Sequence, residues 1–260
     1  MKKYFVIGNP IKHSLSPKLH NHWIKENNID ATYYKKELEE KGIEEIIKEI
    51  KNNKINGINV TVPFKKSVIP FLDQLTSCAS ETQSVNTIFK KDNEIIGDNT
   101  DIAGFEKGLK HINYNAVGKK IFILGAGGVA PSIILGLKRL GAEKITLSNR
   151  TKEKAEYLKK IFPYLEIIDW GKMIDFDMII NATSLGLSSN DRIKLDLSKI
   201  GTNKLFYDVI YNPNKTNFLL EGKKLGNKIE NGKMMFIYQA QLSFKIWHNV
   251  LPKVSDKLLD

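Results

Sequence analysis

The 260-residue sequence predicts an α/β protein with two α/β domains, and three features of the chain indicate this class. Short apolar runs alternate with helical patterns over about the first hundred residues. The same alternation starts again at Lys119. In this second part, a glycine-rich turn joins an apolar strand directly to a helix. We therefore expect two successive α/β domains without a low-complexity linker between them.

The first half of the chain is predicted to form strands and helices that end in a hairpin. Ser16 is the predicted N-cap of the first helix, because Pro17 follows at the first helical position. Isoleucines at 43, 46, 47 and 50 predict a second helix with one apolar face. Asp92-Asn93 predicts the hairpin turn. In chain order the elements are the strand KYFVIG, the helix SPKLHNHWIKENN, the strand ATYYKKEL, the helix GIEEIIKEIKNN, the strand INGINVTV, a helix that opens near Pro63 and the hairpin VNTIFKKDNEIIGDNTD.

Two charged side chains each follow a strand at the predicted start of a helix. Lys65 lies in VTVPFKKSVIPFLD, and Asp101 lies in GDNTDIAGF. Such junctions expose side chains at the edge of a sheet, so the hypothesis is that these two residues work together. On the residues alone, a structural salt bridge is the alternative.

The second half is predicted to contain a parallel sheet with right-handed helical connections. The last long helix, MMFIYQAQLSFKIWHNV, is apolar over much of its circumference, so we expect at least two surfaces to bury it. The other segments are the strand–turn–helix KKIFILGAGGVAPSIILGLKRLG, the strand AEKITLSNR, the helix TKEKAEYLKKIF and the strands FDMIINATS and KLFYDVIYN.

Composition and charge exclude several classes of protein. No apolar run approaches the ~20 residues that a membrane span requires, and the short N-terminal run fits a first strand better than a signal peptide. The single Cys78 rules out an internal disulfide and agrees with a cytoplasmic location. The net charge of +11 is carried by dispersed lysines without interleaved aromatic residues, so we expect no nucleic-acid partner. A small anionic substrate and a phosphorylated cofactor would both benefit from this charge.

The glycine-rich turn predicts a dinucleotide site. Gly125, Gly127 and Ala130 form a G-x-G-x-x-A pattern between a strand and a helix. Gly125 permits the tight turn, and Gly127 allows the backbone to approach a pyrophosphate, which the helix N-terminus then binds.

The next strand predicts NADP rather than NAD. An NAD site usually has an acidic residue at its end, to bind the ribose 2′-hydroxyl. Here the strand ends in Ser148, Asn149 and Arg150. A guanidinium pairs with a 2′-phosphate, which an acidic residue would repel.

A set of motifs resembles the shikimate/quinate dehydrogenase family over essentially the whole chain. The motifs, in the family's order, are GNPIKHSLSPKLHN, NVTVPFK, SVNT, GDNTD, GAGGVA, SNRT, NATSLG, YDVIYNPNKTNFL and NGKMMFIYQAQLSF. The resemblance implies reversible NADPH-dependent reduction of 3-dehydroshikimate to shikimate, a step in chorismate and aromatic amino acid biosynthesis. It also implies two α/β domains flanking a cleft. These are a substrate-binding catalytic domain over residues 1–101, on which a C-terminal helix of about residues 233–260 packs, and a Rossmann-type NADP domain over residues 102–232.

The resemblance also assigns roles to individual residues. Lys65 and Asp101 match the catalytic pair, with Lys65 exchanging a proton with the substrate oxygen and Asp101 holding it. Other substrate-binding residues are Ser14 and Ser16 on the carboxylate, Asn59, Thr61, Asn86 and Gln239 on the ring hydroxyls, and Tyr211 lining the site. The cofactor-binding residues are Gly125, Ala126, Gly127, Gly128, Val129, Asn149, Arg150, Thr151, Thr183, Val209 and Gly232. No Cys or acidic ligand lies at a suitable spacing from His20 and His22, so no metal is expected.

Several alternatives stay open on the sequence. A quinate/shikimate dehydrogenase with relaxed substrate or cofactor use is the nearest, although Ser16 and Arg150 argue against it. A non-catalytic shikimate-binding regulator is another, although Lys65 and Asp101 are both present. The loop VAPS and the tripeptide QSV before Asn86 depart from the usual pattern without removing a required group. Both a monomer and a homodimer are compatible with the sequence.

Overall fold

The protein folds into two compact units in a computed structural model. The structure describes residues 1–197, 200–255 and 257–259. The first unit comprises Met1–Gly104 and Ile237–Asp260, and the second comprises Phe105–Phe236. Both dividing points lie within helices, which span Asp101–His111 and Lys233–His248.

The described residues of the first unit form a six-stranded mixed sheet. Its strands are β1 (Lys2–Gly8), β2 (Ala31–Glu37), β3 (Gly57–Val60), β4 (Gln74–Leu75), β5 (Thr87–Lys91) and β6 (Glu94–Asp98). Their order is β2-β1-β3-β5-β6-β4. Strand β1 is parallel to β2 and β3, whereas β5 is antiparallel to β3 and β6. Asp92 and Asn93 have φ of 50° and 66°, as the tight turn between β5 and β6 requires, so the predicted hairpin is confirmed.

Three α-helices lie between the strands of this sheet in the described chain. They are α1 (Ser16–Glu26), α2 (Ile43–Lys51) and α3 (Ser77–Thr82). The apolar face predicted for α2 is confirmed. Its four isoleucines are buried in one core cluster with Ile7, Ile58 and Val60 from the sheet. Full burial of an isoleucine side chain stabilises a fold by about 1.5–3 kcal/mol, so this face fixes α2 on the sheet.

The prediction that Ser16 caps α1 is wrong. The helix begins at Ser16 itself, with Pro17 one position later, and Leu15 holds the cap position without a side-chain hydrogen bond. The Ser16 hydroxyl instead lies 3.2 Å from Ser14 Oγ, which also accepts a hydrogen bond from the Ser16 N–H. Helix capping therefore does not occupy the Ser16 side chain.

The predicted helix near Pro63 is also wrong. Residues 62–68 form turns, followed by a single 3₁₀ turn over Ile69–Phe71. Pro70 has no N–H and disfavours the α conformation at Ile69, so an α-helix cannot run through this segment. Lys65 therefore lies in a turn. The short elements β4 and α3, which follow, were not predicted because elements of 2 and 6 residues carry little periodicity.

His20 on α1 is fully buried among aromatic rings of the first unit. Its ring stacks on Tyr33, with centroids 4.2 Å apart and an interplanar angle of 6°. Three further rings surround it at 5.5 to 6.1 Å, namely Trp23, Phe244 and Trp247. Neither ring nitrogen has a hydrogen-bond partner among the described residues. Burial, with a smaller contribution from His248, lowers the pKa of His20 to about 3.

We expect His20 to make the protein less stable in acid. In the unfolded chain His20 takes up a proton near pH 6.5, whereas in the native protein its pKa is about 3. The contribution of His20 to the free energy of unfolding therefore falls as the pH falls from 6.5 towards 3. At about pH 5 the loss from this residue is roughly 2 kcal/mol. His20→Phe should remove this part of the pH dependence, as measured by urea unfolding at about pH 7.5 and about pH 5.

His22 on the same helix is exposed and offers a matched control. His22→Phe should leave the difference between the two pH values as it is in the wild type. An unchanged pH dependence in His20→Phe would contradict the expectation and would mean that native His20 is protonated.

The described residues of the second unit form a six-stranded sheet in which every pair is parallel. Its strands are β7 (Lys120–Leu124), β8 (Lys144–Ser148), β9 (Glu166–Ile168), β10 (Met178–Asn181), β11 (Leu205–Asp208) and β12 (Lys228–Glu230). The order is β12-β11-β10-β7-β8-β9, which is the doubly wound arrangement predicted from the glycine loop. The chain reverses its direction of winding between β7 and β10, and ligands bind such sheets at the carboxyl ends of the strands near this point.

The remaining helices are α4 (Asp101–His111), α5 (Ala130–Arg139), α6 (Lys152–Ile161), α7 (Asn217–Lys224) and α8 (Lys233–His248). The expectation that at least two surfaces bury α8 is confirmed, because Met235 and Ser243 are buried as well as the face formed by Ile237, Ala240, Gln241 and Phe244. Trp247 near its end packs on Gly57 of β3, where any Cβ would lie 2.3 Å from the indole nitrogen. No helix in the described ranges combines the length and apolarity needed to cross a membrane.

Candidate active site

Lys65 and Asp101 form a buried ion pair in the first unit. Lys65 Nζ donates a hydrogen bond to Asp101 Oδ2. The two residues are only 8% and 5% exposed. Asp101 opens α4, where the positive end of the helix dipole stabilises a carboxylate, and its N–H donates to Asn99 Oδ1 at 3.1 Å. The arrangement holds one ammonium group at a defined position in a poorly hydrated environment.

Asn86 is oriented by its neighbours so that its amide nitrogen faces Asp101. The Thr100 N–H can only donate, and it lies 2.8 Å from Asn86 Oδ1, which fixes the oxygen on that side. The amide nitrogen therefore donates to Asp101 Oδ1 at 2.9 Å and to Gln239 Oε1 at 3.1 Å. Asn86, Gln239, Asp101 and Lys65 thus form one hydrogen-bonded cluster.

Asn59 lies beneath this cluster and makes its hydrogen bonds within the protein. Its Oδ1 accepts from the Tyr33 hydroxyl at 2.7 Å, and its Nδ2 donates to the Asn86 carbonyl at 3.0 Å. The residue is 6% exposed. These contacts favour a supporting role for Asn59, and its contact with a ligand stays a prediction.

The other predicted substrate residues occupy separate places. Ser14 and Ser16 bring two hydroxyls together at the start of α1. Thr61 directly follows β3 and is half-buried, with its N–H donating to the Ile7 carbonyl at 2.9 Å. Tyr211 belongs to the second unit, where its ring stacks on Phe236 with centroids 4.3 Å apart.

The glycine loop of the second unit shows why glycine occupies position 125. Gly125 has φ of +104°, and a Cβ there would lie 2.7 Å from Thr183 Cγ2. At Gly127, by contrast, the nearest atom to a Cβ would be the Ala182 carbonyl oxygen, at an ordinary 3.7 Å. The protein itself therefore has room for a side chain at 127. A backbone-approaching ligand such as a pyrophosphate explains the glycine at this position.

Asn149 supports the glycine loop. Its Oδ1 accepts from the Ala126 N–H at 3.0 Å, and its Nδ2 donates to the Thr151 carbonyl at 2.7 Å. The prediction placed Asn149 among cofactor-binding residues, and the structure adds that its amide links the ends of β7 and β8.

Arg150 is exposed at the rim of a pocket of about 230 Å³ at the ends of β8 and β9. Lys152 and Trp170 also line this pocket, and the sequence analysis did not identify either of them. The carboxylate of Asp169, on the same pocket, is paired with Lys172 at 3.0 Å, which lowers the pKa of Asp169. The pocket thus combines two cations with an aromatic ring, which suits a phosphorylated adenosine.

A polar cluster at the ends of β10 and β11 holds Thr183. Asn181 Oδ1 accepts from the Thr183 hydroxyl at 2.7 Å, and Asn181 Nδ2 donates to both oxygens of Asp208 at 3.1 Å. Asp208 is fully buried and also accepts from the Thr216 hydroxyl at 2.6 Å. Burial raises the pKa of Asp208 to about 6, against the opposing effect of these hydrogen bonds. The sequence analysis missed Asn181 and Asp208, although both are polar residues that end apolar strands.

Val209 and Gly232 meet through their backbones. The Gly232 N–H donates to the Ile210 carbonyl at 3.2 Å, and a Cβ on Gly232 would lie 2.1 Å from the Val209 carbonyl oxygen. Only glycine fits at 232.

Within the described part of the chain, no three His, Cys, Asp or Glu side chains are grouped to hold a metal ion.

Comparisons with known proteins agree on one family. Residues 6–88 match the family described as the shikimate dehydrogenase substrate binding domain, and residues 107–204 match that described as shikimate/quinate 5-dehydrogenase. The chain is 59% identical to the shikimate dehydrogenase (NADP(+)) of Pelagibacter ubique, over all of this chain and 98% of that protein.

Solved structures show the same similarity. Shikimate dehydrogenase from Aquifex aeolicus superposes with a TM-score of 0.91 at 36% identity, covering 100% of this chain and 96% of that one. Shikimate 5-dehydrogenase from Thermus thermophilus, in complex with NADP(H) and shikimate, gives a TM-score of 0.89 at 28% identity, covering 97% and 95%.

Proposed function

We propose, because this chain belongs to the shikimate dehydrogenase family, that it catalyses the reversible NADPH-dependent reduction of 3-dehydroshikimate to shikimate. It is then an oxidoreductase acting on a CH–OH group in aromatic amino acid biosynthesis. The observation that carries the proposal is the buried pair of Lys65 and Asp101 with Asn86 beside it.

The ion pair supplies the proton chemistry. NADPH, when bound, supplies the hydride that adds to the carbonyl carbon. Lys65 donates a proton to the carbonyl oxygen, so that the C=O group becomes CH–OH. Asp101 holds Lys65 in place between turnovers through the hydrogen bond from Lys65 Nζ to Asp101 Oδ2. In the oxidative direction, Lys65 acts as the neutral amine that the reductive step leaves behind, and it receives the hydroxyl proton as the substrate carbon gives up its hydride.

Polar side chains of the first unit orient the substrate. Ser14 and Ser16, whose hydroxyls lie side by side, bind the carboxylate. Asn86, Gln239 and Thr61 bind the ring hydroxyls. Asn59 acts from beneath through Asn86, since its own polar atoms already have protein partners. Tyr211 is the remaining proposed substrate-binding residue.

The residues of the second unit fit NADP. Gly125–Val129 and the start of α5 bind the pyrophosphate, in agreement with the space in front of Gly127. The 2′-phosphate on the adenosine ribose of NADP is bound by Arg150, Thr151 and Lys152. Thr183, Val209 and Gly232 lie on the nicotinamide side, where the cluster of Asn181 and Asp208 fixes their loops. We place this activity in the cytoplasm, in keeping with a biosynthetic role and a single cysteine.

The test is an absorbance assay for reduced nicotinamide with purified protein. Shikimate or quinate is combined in turn with NADP or NAD, which gives four reactions. Rapid reduction with shikimate and NADP alone is the expected result. Faster turnover of quinate with NAD would overturn the proposed specificity. No turnover of any pair would overturn the proposed reaction, and tight binding of shikimate in a separate titration would then indicate a binding protein without catalysis.

A further inference from the structure

We propose that Ser243 is a positioning residue that sets the orientation of the two substrate-binding amides, Asn86 and Gln239. The inference rests on the proposed function, because it concerns the same site. Ser243 lies on α8 in the first unit and is fully buried.

The Ser243 hydroxyl contacts four polar groups that belong to different parts of the chain. It accepts a hydrogen bond from Asn59 Nδ2 at 3.0 Å and donates to the Gln239 carbonyl at 3.1 Å. It also lies 2.7 Å from Thr87 Oγ1 and 3.2 Å from Thr100 Oγ1. Its lone pairs accept from Asn59 Nδ2, and its single hydrogen serves either the Gln239 backbone carbonyl or Thr87 Oγ1, whereas an alanine would serve none of these groups.

The threonine contacts connect Ser243 to Asn86. The hydroxyls of Thr87 and Thr100 lie 3.0 and 3.1 Å from Asn86 Oδ1, to which each donates. With the Thr100 N–H, they hold the amide oxygen on one side, which directs the amide nitrogen at Asp101 and Gln239. Because both threonine hydrogens are directed at Asn86 Oδ1, Ser243 can hold only one threonine oxygen through its own hydrogen, and the 2.7 Å distance favours Thr87 Oγ1.

The contact with Gln239 is made to its backbone carbonyl, so it holds the backbone that carries the second amide. Gln239 precedes Ser243 by one helical turn, and its side chain accepts from Asn86 Nδ2 at 3.1 Å. Ser243 therefore anchors this turn of α8 to β3 and β5 through Asn59 and Thr87. Loss of the hydroxyl removes one acceptor from Asn59 Nδ2 and the 2.7 Å neighbour of Thr87 Oγ1, so both side chains are freer to shift and Asn86, which they contact, shifts with them.

Ser243→Ala tests the inference in the full-length protein. We expect the KM for shikimate to rise by about tenfold and kcat to fall less, while the KM for NADP stays unchanged. A merely structural role would lower the melting temperature and leave both KM values as they are at a temperature where the variant is folded. Unchanged KM values in such a folded variant would overturn the proposal.

Two further variants make the result decisive. Gln241→Leu is the control, because Gln241 lies on the same helix, is buried and bonds to the Pro252 carbonyl at 2.7 Å. It should lower stability without raising the KM for shikimate. Thr87→Val removes the neighbouring hydroxyl at nearly constant volume, and it tests the same network if Ser243→Ala does not fold. In the double variant that combines Thr87→Val with Ser243→Ala, the factor by which the KM for shikimate rises should be smaller than the product of the factors in the two single variants. A factor equal to that product would contradict a shared network.

Failure of the proposed function has a different signature. Absence of shikimate-dependent reduction in the wild-type protein would remove the proposed reaction before any variant is made. An active wild type combined with kinetically unchanged Ser243→Ala would reject only the role of Ser243.

Discussion

Replacement of Lys65 by alanine should lower kcat for shikimate oxidation by about a thousandfold, with little change in the KM for shikimate. Positioned acid–base groups contribute about 10²–10⁴ to rate, and Lys65 is the ammonium group that the buried cluster holds next to Asp101 and Asn86. The amides of Asn86 and Gln239 stay in the variant, so substrate affinity is largely kept. Steady-state kinetics and direct titration with shikimate separate the two effects.

Lys66 provides the matched control, since it is the next residue and its side chain is exposed. Lys66→Ala should keep turnover close to the wild-type value. A large rise in the KM of Lys65→Ala with unchanged kcat would contradict a proton-transfer role and would assign Lys65 to uniform binding of ground and transition states.

Lys65→Ala also leaves Asp101 buried without its cation, which costs stability. The start of α4 and the Asn86 amide still support the carboxylate, so we expect the variant to fold. If Lys65→Ala does not fold, Asp101→Asn offers a second measurement. This change keeps the size of the side chain but places an amide donor or a neutral oxygen opposite Lys65, so kcat should again fall more than substrate affinity.

The sequence was informative where local chemistry decides structure. The glycine loop, the doubly wound sheet, the hairpin at Asp92-Asn93 and the apolar face of α2 were all predicted from residues that are neighbours in the chain or one helical turn apart. Lys65 and Asp101, each of which follows the end of a strand, do lie in contact, and their joint action in catalysis stays a prediction.

The parts that escaped prediction depend on distant residues. Ser243 meets Asn59 across 184 positions of sequence, and nothing in the pattern of α8 distinguishes this serine from a tolerated polar residue in an apolar helix. The segment that carries Lys65 was predicted to be a helix because its polar and apolar residues are compatible with both a helix and a turn. Pro70, seven residues after Pro63, is the residue that prevents the helix. The Ser16 cap failed because Leu15 already starts the turn, which no pattern of capping residues reveals.

Arg150→Ala should raise the KM for NADP by roughly 30- to 100-fold while the KM for NAD changes little. A bidentate guanidinium–phosphate contact is available only to the phosphorylated cofactor, so its loss affects one dinucleotide and not the other. The strand end before it, Ser148 and Asn149, has no carboxylate that would take over binding of a free ribose hydroxyl. The preference for NADP should therefore weaken without a gain of efficient NAD use.

Arg192→Ala is the control for the loss of one exposed arginine from the same unit, because Arg192 donates only to backbone carbonyls of its own loop among the contacts seen, those of Ser189 and Asp191. It should change neither KM. The effect of Arg150→Ala should also shrink as salt concentration rises, since Arg150 is exposed and its attraction to a phosphate is screened over about 8–10 Å at physiological ionic strength. An equal loss of affinity for NADP and NAD would contradict 2′-phosphate recognition. It would place Arg150 against the part that the two cofactors share, most directly the adenine ring beside Trp170 in the same pocket.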